Sequence, residues 1–358
     1  NVGFDASLMN GRFSLTIDYY KKKYIDLLGN VPLPLYAAPY TGEYQANAFT
    51  MENDGFEFSG GYNQRFGKVN FSLNANFATI NNKVTSLLPG NTSGFLSQSI
   101  SIMGSAFNDG GAQTRTYVGE QVGNFWGYVF DGIIQNEAEL EASSMKSLNE
   151  TVMPGDVKFK DVSGPEGKPD GKITSDDRTF IGNGLPGFIY GFNVRAEFKG
   201  FDLNVFCNGQ GDVQIANMTK LLVSHMRFHN STGIVGAHRD LLNSWKGEGT
   251  SNTVPRNSYT APTTNRYFSS ANIENGAFLR IRNIQLGYSL PANIGRLIRT
   301  SSARIYVSVQ NLHTFTKYSG YDPEIGNSSI GTRVQTAGVD FGRYPKTRIY
   351  TAGVNLQF

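Results

Sequence analysis

The chain has 358 residues and a formal net charge of +3, and it is rich in glycine (41), phenylalanine (25) and tyrosine (18). Mean hydropathy is −0.31, and no uninterrupted apolar run reaches about 18 residues, so a membrane-spanning helix is not expected. The small net charge and the lack of a basic stripe give no case for nucleic-acid binding, and the single cysteine, Cys207, excludes a disulfide framework.

Apolar and polar residues alternate with a period of two along much of the chain, which predicts β-strands with one apolar face. The alternation is clearest at 13–19, 71–77 and 188–198, and again in the last eleven residues. Near Arg282 and Asn283 it changes phase, which predicts a β-bulge or a strand end. The predicted wall strands are 1–9, 12–27, 50–66, 68–86, 187–199, 201–215, 278–290, 303–316 and 348–358.

The connections between these strands alternate in length. Asn10-Gly11 predicts a two-residue hairpin turn, Gly67 and Gly200 mark two further tight turns, and 291–302 is a modest connection. The long connections are 28–49, 87–186, 216–277 and 317–347. Short turns at one edge and long, extracellular loops at the other are typical of outer-membrane barrels. The pattern predicts an all-β protein with a transmembrane antiparallel β-barrel wall, and a soluble β-sandwich is the alternative.

Several segments resemble SusC/RagA-type TonB-dependent outer-membrane transporters. They are EQVGNFWGYVFDGII at 120–134, the segment 155–182 with GDVKFKDV and DGKITSDDRTFIG, ENGAFLRIRNIQLGYSL at 274–290, and RIYVSVQNLHTFTKYSGYD at 304–322. The ending YPKTRIYTAGVNLQF also looks like the end of that family. Thr351, Gly353, Leu356 and Phe358 match the terminal signal that the outer-membrane assembly machinery reads, with Leu356 in place of the usual aromatic residue.

The resemblance implies a 22-strand barrel in which residues 1–358 supply the last nine strands, in the outer membrane of a Gram-negative bacterium. Bacterial barrels have even strand numbers and lipid does not tolerate open edges, so nine strands independently suggest an incomplete barrel. The plug, the TonB-contacting segment and the earlier strands are expected in an N-terminal remainder of the same transporter. The segments 87–186 and 216–277 are expected to be long extracellular loops.

The implied function is active import of oligosaccharides or oligopeptides, powered through the TonB complex. The implied partners are a SusD/RagB-like surface lipoprotein, outer-membrane lipid around the wall, and a second transporter–lipoprotein pair in a dimer. A passive porin-like channel and a surface adhesion or structural β protein are the alternatives, and the sequence does not choose between glycan and peptide.

A candidate calcium site lies in the acidic segment 161–177. Counted from Asp170, the side chains of Asp161, Ser163, Asp170 and Asp177 and the backbone carbonyl of Lys172 supply the oxygen ligands of a calcium loop. The first half departs from the usual spacing because residues 164–169 displace Asp161 by five positions. A surface loop of Asp-initiated turns is the alternative, and in either case the role is structural.

No catalytic pattern is present, so we predict that the protein is not an enzyme. His225 and His229 lie four residues apart, but they lack the intervening Glu of a metalloprotease helix.

Aromatic residues in the long connections are the candidate substrate contacts, because their flat apolar faces suit sugars or peptides. These candidates are Trp126, Tyr128, Trp245, Tyr259, Tyr267 and Phe268. Packing within the loops, or an interfacial aromatic belt, is the alternative for each of them. Tyr19, Tyr190 and Phe198 are expected to face lipid.

Overall fold

A computed structural model describes residues 1–32, 43–87, 95–98, 113–147, 151–224, 238–258, 261–291, 293–294, 299–326 and 336–358. Its main feature is one large antiparallel sheet. The strands of this sheet are β1 (Val2–Leu8), β2 (Phe13–Pro32), β3 (Glu43–Phe66), β4 (Val69–Thr79), β5 (Asn81–Leu87), β12 (Phe188–Phe198), β13 (Phe201–Gly211), β16 (Phe278–Ser289), β17 (Ser302–Thr316) and β19 (Ile349–Gln357). Apart from β5, which pairs with β3, neighbours in the sheet follow the chain order, and we call these nine strands the wall.

The remaining elements lie in the connections at one edge of the wall. The strands are β6 (Phe95–Gln98), β7 (Thr114–Tyr117), β8 (Asn124–Gly127), β9 (Phe130–Ile133), β10 (Val157–Phe159), β11 (Thr179–Gly182), β14 (Gln214–Asn217), β15 (Ile273–Asn275) and β18 (Val339–Asp340), and the helices are α1 (Glu137–Ala142) and α2 (Met218–Val223). Short 3-10 helices are Ser144–Ser147, Ser175–Asp177, Arg239–Asn243, Thr263–Arg266 and Ser270–Asn272. The strands form three small sheets: β6 to β8 with β11, β9 with β10, and β14 with β15 and β18.

The register of the wall separates an apolar face from a polar face. One cross-strand row takes an apolar residue from each strand: Leu8, Phe13, Tyr62, Leu73, Val194, Val205, Ile284, Val309 and Tyr350. The adjoining row from β3 to β19 is polar throughout: Asn63, Ser72, Arg195, Asn204, Gln285, Ser308 and Thr351. Because alternate residues point to opposite sides of a sheet, this is the two-faced surface of a barrel wall, and the predicted all-β fold is confirmed.

The short connections all lie at the same edge of the wall. Lys199 and Gly200 form a two-residue hairpin turn with φ of 47° and 87°, the left-handed conformation that this turn type requires. The predicted two-residue turn at Asn10-Gly11 is wrong in length. The loop between β1 and β2 has four residues, because Met9 also adopts a positive φ of 57° and extends the turn.

Several predicted strand limits shift for physical reasons. The strand predicted at 68–86 is divided at Ile80, whose N–H bonds to the carbonyl of Gly187 at 2.8 Å. The strand predicted at 201–215 ends at Gly211, before Asp212 with its positive φ of 50°. The predicted connection 28–49 is partly strand, because β2 and β3 continue to pair as far as Pro32 and Glu43.

The predicted bulge is confirmed. The pairing of β16 with both neighbours shifts between Ile281 and Asn283. Against β13, Arg282 is the extra residue, whereas against β17 the single Arg282 lies opposite Asn311 and Leu312. An extra residue in one strand leaves two neighbouring side chains on the same face. Both Arg282 and Asn283 therefore belong to the polar side of the wall.

The main buried clusters lie at the loop edge of the wall rather than within its two faces. One cluster contains Tyr128, Ile133, Ile134, Leu140, Met145, Val157, Phe159 and Ile173, and a second contains Phe125, Ala216, Met218, Leu221, Phe268 and Val339. Along the wall, large apolar side chains are exposed instead, for example Phe4, Phe201, Val307 and Tyr350. No helix in the described part of the chain is long and apolar enough to cross a membrane.

The two faces of the wall respond differently to charge. In the whole transporter, Val205→Arg places a cation on the apolar face near mid-height and is expected to lower the free energy of unfolding by about 2–4 kcal/mol. Its neighbour Asn204 lies on the polar face, so Asn204→Arg is expected to cost less than about 1 kcal/mol. Unfolding by urea in lipid vesicles measures both values, and equal losses would contradict the facial assignment.

Candidate functional site

Two of the predicted aromatic contacts, Tyr128 and Tyr267, pack within the loops. The Tyr128 ring is 3% exposed and stacks on Phe159 and Tyr267, with ring centroids 5.0 and 5.5 Å apart. Tyr128 and Phe159 are buried and Tyr267 is half-buried at the edge of a cavity, and the stack of the three rings stabilises the loop core. Tyr128 has no open face for a substrate.

Phe268 and Trp245 are also packed. Phe268 is fully buried and makes an edge-to-face contact with Phe125 at 6.4 Å. Trp245 lies against Gly155, where an added Cβ would come within 2.5 Å of the indole ring, and its indole N–H donates to Gln135 Oε1 at 3.3 Å. Tyr259, His225 and His229 lie outside the described residues.

Trp126 lies in a different environment, which we call the Trp126 cluster: Arg115, Tyr117, Trp126 and Phe180. The indole contacts Phe180 edge-to-face at 5.1 Å and Tyr117 at 5.6 Å, and the Arg115 guanidinium lies 4.4 Å from its ring centroid. Phe180 is 38% exposed, and the Trp126 indole N–H has no acceptor among the described residues. The cluster therefore offers exposed aromatic surface at Phe180 and a cation at Arg115, while the indole N–H of Trp126 is a buried donor.

The partners of Trp126 could not be predicted from the sequence. Arg115 and Tyr117 come from β7, a four-residue strand too short to show a clear period, and Phe180 comes from β11. Pairing of β11 with β8 puts Phe180 directly opposite Trp126. The alternating residues of 114–117 are the only local signal that could have revealed this arrangement.

A cavity of about 420 Å³ opens beside Tyr267. Its walls come from six separate segments and include Phe130, Val157, Lys220, Asp240, Val254 and Asn265. The ammonium of Lys220 lies 3.9 Å from the Asp240 carboxylate and 3.5 Å from that of Glu274.

Asp156 joins the segments that line this cavity. Its fully buried carboxylate accepts bonds from Arg256 at 2.7 and 3.2 Å, from Asn265 at 2.9 Å and from the Met153 N–H at 2.9 Å. A buried carboxylate with a bidentate guanidinium and two further donors is well compensated. Asp156 thus fixes three loop segments relative to one another.

The acidic segment 161–177 is held by backbone donors. Asp161 accepts from the N–H groups of Asp170 and Gly171 at 3.3 and 2.6 Å, and Asp170 accepts from Lys172 N–H at 3.0 Å. Fully buried Asp177 accepts from the N–H groups of 162, 163 and 174, the nearest at 2.7 Å.

These contacts favour the alternative of Asp-initiated turns. Ser163 takes part through its backbone N–H, which donates to Asp177. The described residues contain no group of three or more His, Cys, Asp or Glu side chains that could hold a metal ion. Calcium binding therefore stays a prediction from the sequence.

The residues of the terminal signal divide between the two faces of β19. Thr351 pairs with Ser308 and Gly353 with Tyr306, on the polar side. Leu356 and Phe358 follow the apolar side, and Phe358 is 87% exposed.

A set of ion-paired side chains holds the segment after β17 against the polar face of the wall. We call it the Arg280 cluster, and its members are Arg280, Arg282, Asp322, Glu324 and Lys346. Arg280 is 2% exposed and pairs with both Asp322 and Glu324, while Arg282 bonds to both oxygens of Glu324 at 2.7 Å. The bulge at Arg282 lets both guanidinium groups reach the same acidic segment.

The pKa of Asp322 lies below its ordinary value. Burial acts to raise this pKa, but the N–H groups of Glu324 and Lys346 and the Arg280 guanidinium favour the ionised form and outweigh it. A lowered folded-state pKa means that the pairing stabilises the fold above about pH 4, the ordinary value. That stabilisation is lost as the pH falls through the folded-state pKa.

Asp322→Asn leaves the buried Arg280 charge undercompensated and is expected to cost about 3 kcal/mol of local stability at neutral pH. Hydrogen exchange of 317–326 in the whole transporter measures this loss, and the difference from wild type should shrink below about pH 4. Asp5→Asn on exposed β1 is the matched control and should leave the exchange unchanged. Unaltered exchange in Asp322→Asn would contradict the role of the Arg280 cluster.

Asp177→Asn removes charge from an acceptor of three backbone N–H groups, so it is expected to destabilise 161–177 by about 1–3 kcal/mol. Limited proteolysis of this segment measures the change, and the backbone bonds predict the same result with and without a calcium chelator. Faster cleavage of the wild-type protein on chelation would instead support the calcium site.

Comparison with known proteins places the chain among TonB-dependent receptors. No family model matches it. It is 31% identical over 368 residues to TonB-dependent receptor P3 of Formosa agariphila, covering all of this chain and 34% of the relative. It is 25% identical over 366 residues to TonB-dependent receptor SusC of Bacteroides thetaiotaomicron, covering all of this chain and 31% of the relative. The chain therefore spans about a third of the length of the curated relatives that it matches.

Solved structures show the same fold. The structure of the RagAB peptide transporter superposes with a TM-score of 0.73 at 24% identity, covering 99% of this chain and 34% of that chain. The RagAB peptide importer in its 'closed-closed' state gives a TM-score of 0.72 at 23% identity, with 99% and 35% covered. Together with the two-faced wall, these findings confirm the resemblance: the chain belongs to the SusC/RagA-type TonB-dependent outer-membrane transporters, as a C-terminal part of the barrel.

Proposed function

We propose that this chain forms wall and extracellular loops of an outer-membrane importer that takes up an oligosaccharide or an oligopeptide. The observation that carries the proposal is the wall itself, with unbroken apolar and polar rows on its opposite faces. A face of exposed Phe, Tyr, Val and Leu suits lipid, and a polar face suits an aqueous lumen. Coupling to TonB and capture with a SusD/RagB-like lipoprotein are inferred from the relatives.

The loops favour a binding function over a purely structural one. They carry their own buried clusters and ion pairs, which give them the rigidity that a binding surface needs. An N-terminal remainder of the transporter and a dimer of transporter–lipoprotein pairs complete the proposed assembly.

TonB dependence separates this proposal from a passive channel. In cells lacking TonB, an active importer accumulates no substrate, whereas a porin-like channel continues to pass it. Ligands extracted from the purified transporter–lipoprotein complex and identified by mass spectrometry would decide between glycan and peptide. A whole protein that fails to insert into membranes would contradict the proposal and favour the surface adhesion protein.

The Trp126 cluster is the substrate contact that we favour within the described residues. The exposed ring of Phe180, which packs edge-to-face against Trp126, can stack on a sugar or on an apolar side chain. Arg115 and Tyr117 add further polar groups at the same place, linked by a 3.2 Å hydrogen bond.

Trp126→Ala is expected to lower substrate occupancy of the purified complex about tenfold, because it removes the ring against which Phe180, Tyr117 and Arg115 pack. Trp126→Phe keeps an aromatic ring and is expected to lose less. The readout is the amount of co-purified ligand per complex, by mass spectrometry.

Two controls separate binding from packing. Tyr344 is 82% exposed, so Tyr344→Ala removes an aromatic ring without disturbing the loop core and should leave occupancy unchanged. Tyr128→Ala removes a buried stacked ring and should lower the melting temperature. Wild-type occupancy in Trp126→Ala would reject the Trp126 cluster as the contact.

A further inference from the structure

A group of charged residues lies on the lipid-facing side of the wall, next to its aromatic surface. The outward positions of β2 are Phe13, Leu15, Ile17 and Tyr19, followed by Lys21 and Lys23. On β3 the paired outward positions are Tyr62, Gly60, Phe58 and Phe56, followed by Asp54 and Glu52. On both strands the change from apolar to charged residues comes at the same height, immediately after the contact between Tyr19 and Phe56, whose ring centroids lie 5.2 Å apart.

That height matches the edge of the hydrocarbon layer. Phe66 and Phe56 lie ten residues apart on the outward face of β3, or about 33 Å along the strand at about 3.3 Å per residue. A strand tilt of about 35–45° reduces this to about 25 Å, the height of a barrel's apolar band. The long connections lie at the Phe56 end, so the charged residues beyond it are at the level of the outer-leaflet headgroups.

Three lysines surround one carboxylate at this level, and we call them the outer lysine cluster: Lys21, Lys23 and Lys83. Lys23, Glu52 and Lys83 are cross-strand neighbours on β2, β3 and β5. Lys21 and Lys23 both reach Glu52, at 2.9 and 4.0 Å, while their own side chains remain 57% and 54% exposed.

Lys83 shares the outward orientation. It is exposed, whereas its neighbours Asn82 and Val84 are buried on the opposite side of β5. Asp54, the other acid on this face, lies opposite Asn81 and accepts its amide N–H at 3.3 Å. The five charged residues of the patch, three basic and two acidic, keep a surplus of one positive charge.

We infer that the outer lysine cluster binds the phosphate of an anionic lipid headgroup in the outer leaflet. Lysine ammonium groups bind phosphate as point charges, and flexible stems allow several of them to converge on one anion. The aromatic surface of Tyr19 and Phe56 just below accepts the acyl chain of the same molecule. This continuity favours a lipid over a free phosphate ion. The inference rests on the proposed placement in the outer membrane.

The test compares lipids that differ only in phosphate. The intact transporter–lipoprotein complex in mild detergent is titrated with phosphorylated lipid A and with lipid A from which the phosphate has been removed, and bound lipid is counted by native mass spectrometry. The phosphorylated form is expected to bind at least about tenfold more tightly, at roughly a fivefold gain per lysine. The triple variant Lys21→Gln/Lys23→Gln/Lys83→Gln is expected to bind both forms equally.

Three variants sharpen the result. The triple Lys→Arg variant should keep the phosphate preference, and Glu52→Gln should strengthen it, because that carboxylate competes with phosphate for Lys21. Lys68→Gln alters an exposed lysine at the short-turn edge and should change nothing. Heat-dependent migration on gels shows that each variant still forms its barrel.

Unchanged phosphate preference in the triple Gln variant would overturn the inference. Full displacement of the lipid by millimolar inorganic phosphate would also overturn it, since the site would then select a free anion. Neither of these two results concerns membrane insertion or TonB-dependent uptake, so the proposed function would stand. Failure of the wild-type complex to insert or to import would instead count against the proposed function.

Discussion

The rest of the structure depends on the requirement that backbone polar groups be paired where no water can reach them. An unpaired N–H or C=O in hydrocarbon costs several kcal/mol, so the spanning segments must pair with neighbours along their full length. The seven inner strands of the wall, from β2 to β17, meet this requirement by pairing with a neighbour on both sides. The bulge at Arg282 interrupts pairing only locally, and its two side chains face the polar side, where water and ion-pair partners are available.

A wall one sheet thick cannot bury its own side chains, and this shifts packing into the connections. The apolar rows contact lipid and the polar rows contact water, so large buried side chains gather in the loops instead, among them Phe125, Phe268 and Ile133. The small sheets and the Asp156 ion pair hold these loops together much as the core of a soluble domain would. Rigid loops on a rigid wall are what a binding surface requires.

The wall could be predicted from sequence because its signal is local. Alternation along a strand and a phase change at one bulge are readable within a dozen residues, and both agree with the observed register. Strand limits are less predictable. One strand is divided at Ile80 by a backbone hydrogen bond, and another ends at Gly211 because Asp212 has a positive φ, and the alternation shows neither feature. The extension of β2 and β3 into a predicted connection likewise depends on pairing between the two strands.

The candidate site could be predicted only as a set of residue types, because its geometry depends on distant partners. Tyr128 and Tyr267 are 139 positions apart in sequence and yet stack, and Asp156 reaches Arg256 over 100 positions. A sequence window cannot tell a ring that stacks inward from one that remains open, so the six aromatic candidates looked alike.

Three-dimensional pairing also explains why Trp126 differs from the other aromatic candidates. Trp126 lies on β8 in a small sheet, next to a partly exposed Phe180 on one neighbouring strand and to Arg115 from the other. Tyr128, two residues further along, leaves that sheet and enters the buried stack with Phe159. The strand thus leaves Trp126 half-buried beside the exposed ring of Phe180 and buries Tyr128 two residues later. Because the buried stack of Tyr128 fixes the chain two residues away, Trp126 is held in place beside Phe180.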